Sequence, residues 1–395
     1  MNINKWFRFL VFISFLLGNF SFLPNATAQA QELIQSQVEI VKAEVLEVLK
    51  QEVREIPGTD TSHSFQEIRI KILEGEQAGE VIILENDYLN LKAGEKFYLR
   101  HEIDQFEDRE LYAVFEPYRL PALYGFMALF VVCVVVFGGW QGLRGLLSLV
   151  ASFLFIFFLL FPGIMAGYSP ILISIGVASL IIILGSYVTH GFNKTTSAAV
   201  VGMIVTVILT SGLAYFAVHS AQLSGVTSDE AVYLNFNTRG AIDFVGLLLG
   251  GILIGLLGVL YDAAISQAIV IEELNRVGPH LSRSFIFKRA LRVGREHIGA
   301  LVNTLAIAYV GVSLPLLLLV YSFNDVSLTL NLNREMFATE IIRTMIGSIG
   351  LVLAVPITSL IAVLMIVKQK RDENPVLLAE EKAIVEQLDH THHHH

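Results

Sequence analysis

The segment "GVLYDAAISQAIVIEEL", Gly258 to Leu274, places one carboxylate, Asp262, inside an apolar run. From Phe244 to Ile271 the chain carries no other charge. As a helix this stretch is about 42 Å long at 1.5 Å per residue, against a hydrocarbon core of about 30 Å. Asp262 falls toward one end of that length, and two chemistries are open to it. A submerged carboxylate handles protons or cations, whereas one at the boundary is a hydrogen-bonded structural cap. Gly251, Gly255, Gly258, Asp262 and Ser266 follow one another at helical steps and share a stripe. Small residues let another helix come close. The stripe therefore predicts that Asp262 faces protein and not lipid. A carboxylate held there, away from water, takes up and releases protons near neutral pH.

Other polar groups in apolar surroundings extend a candidate path. Tyr261 and Ser266 flank the aspartate, and "GREHIGALVNTLAIAYVG" puts Glu296 and His297 at the start of the next run, with Asn303, Thr304 and Tyr309 inside it. Asn303 and Thr304 are the expected neighbours of Asp262, the three forming a proton or ion relay. Glu296, Ala300 and Asn303 share a helical face. Asp243 opens its run on the outer side, and Arg343 stands near Glu340 as an interfacial pair. Pro315 and Pro356 bend helices and free carbonyls.

Several chemistries are excluded. "GSYVTHGFNKTT" lacks the adjacent Gly-Lys of a phosphate loop, so Lys194 reads as a charge anchor, with His190 and Thr195 lining a cytoplasmic mouth. "REHIG" is not a zinc-protease motif. An aspartic intramembrane protease needs carboxylates from two helices, but Asp243 shares a helix with Asp262 about 28 Å away. No catalytic residue, metal site or cofactor is expected, and the chain does not read as an enzyme.

The elements that must hold these groups are membrane helices. The chain of 395 residues is 54% hydrophobic and only 16% charged, with mean hydropathy +0.62, where soluble domains carry about 25% charged residues. A net charge of −9 and the lack of a basic tract argue against nucleic acid. The single cysteine, Cys133, rules out an intrachain disulfide. Apolar runs near 121–139, 145–162, 171–189, 197–218, 244–268, 298–321 and 341–367 predict about seven spans over 118–368.

Residues 1–30 have the parts of a signal peptide: Lys5 and Arg8, an apolar core from Phe9 to Leu23, and small residues around Ala28. That core is shorter than a spanning helix, which favours cleavage over an uncleaved anchor. Either way, residues 31–117 lie outside the cytoplasm. With seven spans, the inner connections then hold Arg144, Lys194, Arg276, Arg283, Lys288, Arg289, Arg292, Arg295, Lys368, Lys370 and Arg371, while the outer ones hold Arg239 and Arg334. The positive-inside rule agrees with the leader, giving a bacterial cytoplasmic-membrane protein with its N-terminal domain outside and its C-terminus inside.

The exported segment is of another kind. "QEIRIKILEGEQAGEVIILEN", "LKAGEKFYLRHE" and "RELYAVFEP" alternate apolar and polar residues between glycine-containing turns. "VEIVKAEVLEVLKQEV" adds a fifth strand, although its pattern also suits a helix. Five short strands predict a small antiparallel, OB-like β-barrel, more suited to packing or partner docking than to catalysis. Residues 369–395 form a cytoplasmic tail ending in "DHTHHHH", a tag or neutral tail. In residues 284–296, Lys288, Arg292 and Arg295 share a face. Such a helix rests on anionic lipid, or serves only as a topology anchor. Beyond the lipid bilayer, a second copy or another membrane protein is a candidate partner.

"GVLYDAAISQAIVIEEL", "RALRVGREHIGALVNTLAIAYVGVSLPLLLL" and "THGFNKTTSAAVVGM" resemble the YibE/F-like family of bacterial multipass membrane proteins. A more distant resemblance, over 240–370, is to the SecD/SecF membrane domain of the proton-driven RND superfamily. It implies that Asp262 belongs to an intramembrane proton relay with Asn303 and Thr304. Against it, this chain lacks a large exported domain between its first two spans, and it has seven spans where that pattern has six. The expected function is an integral-membrane transporter or export-accessory permease, proton- or ion-coupled. The alternative is a non-transporting scaffold or assembly factor whose exported barrel docks a partner.

Overall fold

The computed structural model describes residues 38–55, 62–104, 109–322 and 327–368. The signal-peptide reading and the C-terminal tail lie outside the described residues. The chain divides into two compact units at Leu129/Phe130.

In the first unit the alternation of β-branched and charged residues makes five strands: β1 (Val38–Glu55), β2 (Ser62–Ile72), β3 (Val81–Asn86), β4 (Lys96–Asp104) and β5 (Arg109–Pro117). The segment that suited either helix or strand is strand β1. All pairings are antiparallel, in the order β3-β2-β1-β4-β5. Val41, Ala43, Val45, Ile68, Ile70, Phe97 and Leu99 point into one core. Register shifts in the β1–β2 pair between Val45 and Glu47 and between Val48 and Lys50 curl the long first strand. The result is a half-barrel whose β3 and β5 edges approach each other. Across that edge, Tyr112 Oη lies 2.6 Å from Glu110 Oε2 and 2.8 Å from Gln77 Oε1, and its ring stacks on buried His101. Burial and the Glu110 carboxylate push the Tyr112 phenol up to about 12. The hydrogen bond from Tyr112 holds Glu110 below its ordinary value.

The rest is helical: α1 (Leu120–Phe155), a π-helical turn (Ile156–Leu160), α2 (Phe161–Met165), α3 (Pro170–His190), α4 (Lys194–Ser220), α5 (Asp229–Asn237), α6 (Phe244–Val277), α7 (Arg283–Val312), α8 (Leu314–Ser322), α9 (Leu328–Asn333) and α10 (Glu335–Ile366). Helix is what an apolar chain adopts when its backbone must satisfy itself. Asn193, Ser228, Asp243 and Ser282 cap their helices by accepting from the N–H three residues on.

The expectation of seven spans is met only at a coarser count. Among the described residues five helical runs are long and apolar enough to cross a membrane, or six if the α7–α8 pair, bent by 66°, counts as one. Two predicted spans, 121–139 and 145–162, fall within the single run Leu120–Met165. That run is broken at Gly139, whose φ of 54° and ψ of −139° are not helical. A Cβ on Gly142 would collide with the Val134 carbonyl, although residues eight apart in a straight helix are about 12 Å apart. The predicted span 298–321 breaks at Ser313 with Pro315 just beyond, while Pro356 lies inside α10. The basic segment 284–296 is the first half of α7, continuous with the apolar half.

Helix α6 is the hub of the helical unit and packs on α3, α4, α7 and α10. Its Leu256, Leu260, Ala264, Ala268 and Ile271 enter the main core with Met203 and Val207 of α4 and Leu351 and Ala354 of α10.

Candidate functional site around Asp262

Three elements build the site. Helix α6 carries Asp262 with Tyr261, Ser266 and Gln267. Helix α7 carries Val293, His297 and Leu301, and α10 contributes Val355. Asp262, Ser266, Gln267 and His297 line one cavity of about 70 Å³ whose walls are otherwise apolar, with room for about two waters. Asp262 makes no hydrogen bond or ion pair among the described residues.

The stripe Gly251, Gly255, Gly258, Asp262 and Ser266 lies on an exposed face of α6. This corrects the expectation that another helix covers it. Helix α7 borders the stripe without closing it. A Cβ on Gly255 would lie 3.0 Å from Tyr309 Oη, but one on Gly251 or Gly258 would meet nothing within 4 Å. Small residues permit a close approach but supply little apolar area of their own, so the buried faces of α6 are the leucine and isoleucine faces.

Of the other predicted residues, His297 and Ser266 share the aspartate's cavity. Asn303 and Thr304 are exposed and do not line it, and Thr304 Oγ1 donates to its own helix at Ala300 O, 2.9 Å away. Glu296 is exposed. Tyr261 turns the other way, its Oη donating to Gly185 O at 3.3 Å, with its ring 5.9 Å from His190. Tyr309 stands beside Gly255 and Gly347. His190 and Thr195 line a separate cavity of about 120 Å³ with Asn193, Thr196 and Glu272, and Thr195 Oγ1 donates to Glu272 Oε2 at 2.7 Å. Arg343 pairs with Glu340 at 2.9 Å, and Ser313 at the α7–α8 break donates to the same carboxylate.

Gln267 was not singled out from the sequence. It is 4% exposed and donates through Nε2 to Ala290 O at 2.7 Å and to Ser359 Oγ at 2.8 Å, tying α6 to α7 and α10. Ser359 passes its own proton to Val355 O. Gly294 makes the knot fit, since a Cβ there would sit 2.5 Å from Val355 Cγ1 and 2.9 Å from Gln267 Oε1. The available signal was that Gln267 is the one amide in the run Phe244–Ile271, where a buried amide demands partners.

A sequence profile of the family described as YibE/F-like protein matches residues 126–368, all of the helical unit's spans and this cavity. The chain belongs to the YibE/F-like family. Neither a curated protein nor a solved structure shows a match to it. The family match covers the site and stops short of the half-barrel. Among the described residues no group of three or more His, Cys, Asp or Glu side chains gathers as metal ligands would.

Proposed function

We propose that this YibE/F-like family member is a secondary transporter or export-accessory permease of the bacterial cytoplasmic membrane, coupled to proton or ion movement through Asp262. The observation that carries the reading is the cavity of about 70 Å³ that Asp262 and Ser266 of α6 line together with His297 of α7. A carboxylate within a 28-residue run of otherwise uncharged helix is costly unless it has a use. A structural cap would hold a hydrogen bond, and Asp262 holds none among the described residues. In this reading His297, rather than Asn303 or Thr304, is the nearest polar group across the cleft able to exchange a proton with it.

The same reading uses seven spans. The run Leu120–Met165 is 46 residues long, about 69 Å as helix and more than twice a bilayer core. Its break at Gly139 divides it into two crossings, and the bent α7–α8 pair makes a sixth before α10. The half-barrel then stands outside and Lys368 inside. A scaffold reading draws on the apolar side chains that the half-barrel exposes, Val81 and Ile83 among them.

Asp262→Asn separates the two. The substitution is nearly isosteric and removes the titrating group, so under proton coupling flux in proteoliposomes falls to background at matched expression, and Asp262→Glu retains part of it. Wild-type flux in Asp262→Asn ends the coupling reading, and no flux in the wild-type protein favours the scaffold.

A further inference from the structure

A second, larger cavity lies on the opposite flank of Tyr261. It is about 370 Å³ and opens between α1, α3 and α6, a volume in the range of small-molecule pockets. Its two ends differ. One end is made by Ile156, Ile181 and Ile254, and the other by Ser148, Thr189 and Tyr261. Each pair, one on each helix or its π-turn extension, is seven or eight residues apart, about 11 Å by helical rise. All three elements place their polar member at the same end. That end adjoins His190 at the close of α3 and Gln141, whose Nε2 donates to Thr189 O. Arg144 follows in the chain, its guanidinium 5.8 Å from the Trp140 ring centroid. In the proposed orientation this is the cytoplasmic end, and the isoleucine end points to mid-membrane.

We propose that this cavity binds one acyl chain of an anionic phospholipid from the inner leaflet. The chain tip lies among the three isoleucines, the ester region meets the Ser148 and Tyr261 hydroxyls, and the headgroup meets Arg144. The polarity gradient specifies an amphiphile lying along the bilayer normal, and the cation at its polar end specifies an anionic head. The site shares its orientation with the proposed function but needs no proton coupling.

The glycines provide the test. A Cβ on Gly145 or Gly258, both in the lining, meets nothing within 4 Å, and neither does one on Gly212, which does not line this cavity. A side chain can start at either of the first two without displacing a neighbour, so leucine there is the substitution that takes up cavity space. The purified full chain is reconstituted with phosphatidylglycerol carrying a photoactivatable diazirine in one acyl chain, and the labelled peptides are identified by mass spectrometry. Label is expected on 181–189 and 254–261. In Gly145→Leu and Gly258→Leu it is expected to fall about tenfold, or about 1.4 kcal/mol, with Gly212→Leu unchanged. Arg144→Gln should keep the label but lose the preference over a phosphatidylcholine probe. Asp262→Asn should label as wild type, so a failure of the lipid site is distinguishable from a failure of proton coupling. Undiminished label in both leucine variants overturns the site. Equal label from the two headgroups, or full displacement by free fatty acid, overturns the anionic phospholipid as its occupant.

Discussion

Gln267→Leu tests whether the knot at the crossing of α6, α7 and α10 holds the aspartate's cavity in shape. The substitution keeps most of the side-chain volume and deletes the Nε2 donor that reaches Ala290 O and Ser359 Oγ. Interhelical hydrogen bonds in a membrane average about 0.6 kcal/mol and reach about 1.7. Two of them give an expected loss of about 1.2 kcal/mol, with a ceiling of about 3.4. Little is lost beyond these two bonds, because a group left behind keeps another partner: Ser359 Oγ still donates to Val355 O. The loss should therefore stay near the lower figure. Gly294→Ala strains the same place from the other side by placing a Cβ 2.5 Å from Val355 Cγ1 and 2.9 Å from Gln267 Oε1. Overpacking of this kind costs about 1–3 kcal/mol. Truncating Gln267 to alanine removes one of the two clashes. The double variant Gln267→Ala/Gly294→Ala should then lose at least about 0.5 kcal/mol less than the sum of the single losses. The assay is unfolding of the purified protein in mixed micelles at rising denaturing-detergent fraction, read by far-ultraviolet circular dichroism. A wild-type midpoint for Gln267→Leu, or strict additivity in the double variant, would refute the reasoning.

Two further predictions concern the ends of the molecule. In the half-barrel, Glu110 sits below its ordinary 4.5 because Tyr112 donates to it, so its contribution is present above pH 4.5 and is lost as pH falls through the depressed value. The Tyr112 phenol is raised to about 12, so its contribution is complete below 10 and is lost as pH rises through about 12. Hydrogen-exchange protection of 74–80 and 109–117 in the full chain, taken relative to the intrinsic exchange rate at each pH, should fall at both extremes, and Tyr112→Phe should flatten the dependence; an unaltered profile in that variant shows that the Tyr112–Glu110 bond is not its cause. In the helical unit, Glu335 accepts from Ser224 N at 2.5 Å and Gly225 N at 2.9 Å, pinning the turn after α4 to the start of α10. Glu335→Ala should cost about 2 kcal/mol, as for hydrogen bonds to a charged group, and should open 222–227 to protease while leaving 200–218 protected. Equal cleavage in both proteins would show that the carboxylate does not hold the turn.

Elements whose signal is local were legible in the sequence. The alternation of Ile68, Ile70 and Ile72 belongs to a strand whatever surrounds it, and the polar turns around it fix the pairing. β1 was ambiguous because "VEIVKAEVLEVLKQEV" puts apolar residues at both two- and four-residue steps. Pairing with β2 and β4 decides for strand, and two bulges absorb the misfit. The break at Gly139 falls where the first predicted span ends, five residues before Arg144. The break at Ser313 was less legible, because it carries no charge or polar loop and hydropathy reads 298–321 as one run.

The site shows a sharper limit. Helical spacing put Gly251, Gly255, Gly258, Asp262 and Ser266 on one face, and they are on one face. What spacing cannot give is which face a neighbour selects. A glycine offers access and almost no apolar area, whereas Leu249, Ile252, Leu253, Leu256 and Leu260 each bury a full side chain, at about 1.5–3 kcal/mol apiece on transfer from water. Between lipid and protein that transfer term shrinks, but the interlocking shape of branched side chains remains, and the leucine faces take the neighbours. The small stripe is left exposed. Asp262 is exposed on that face of α6, and His297 of α7 lines the same cavity. Asn303 and Thr304, one to two turns farther along α7, rotate away from it. Helical spacing names the residues of α7 that share a face, but which of them borders α6 depends on how the two helices cross, where Gln267 donates to Ala290 O and Gly294 leaves room for it.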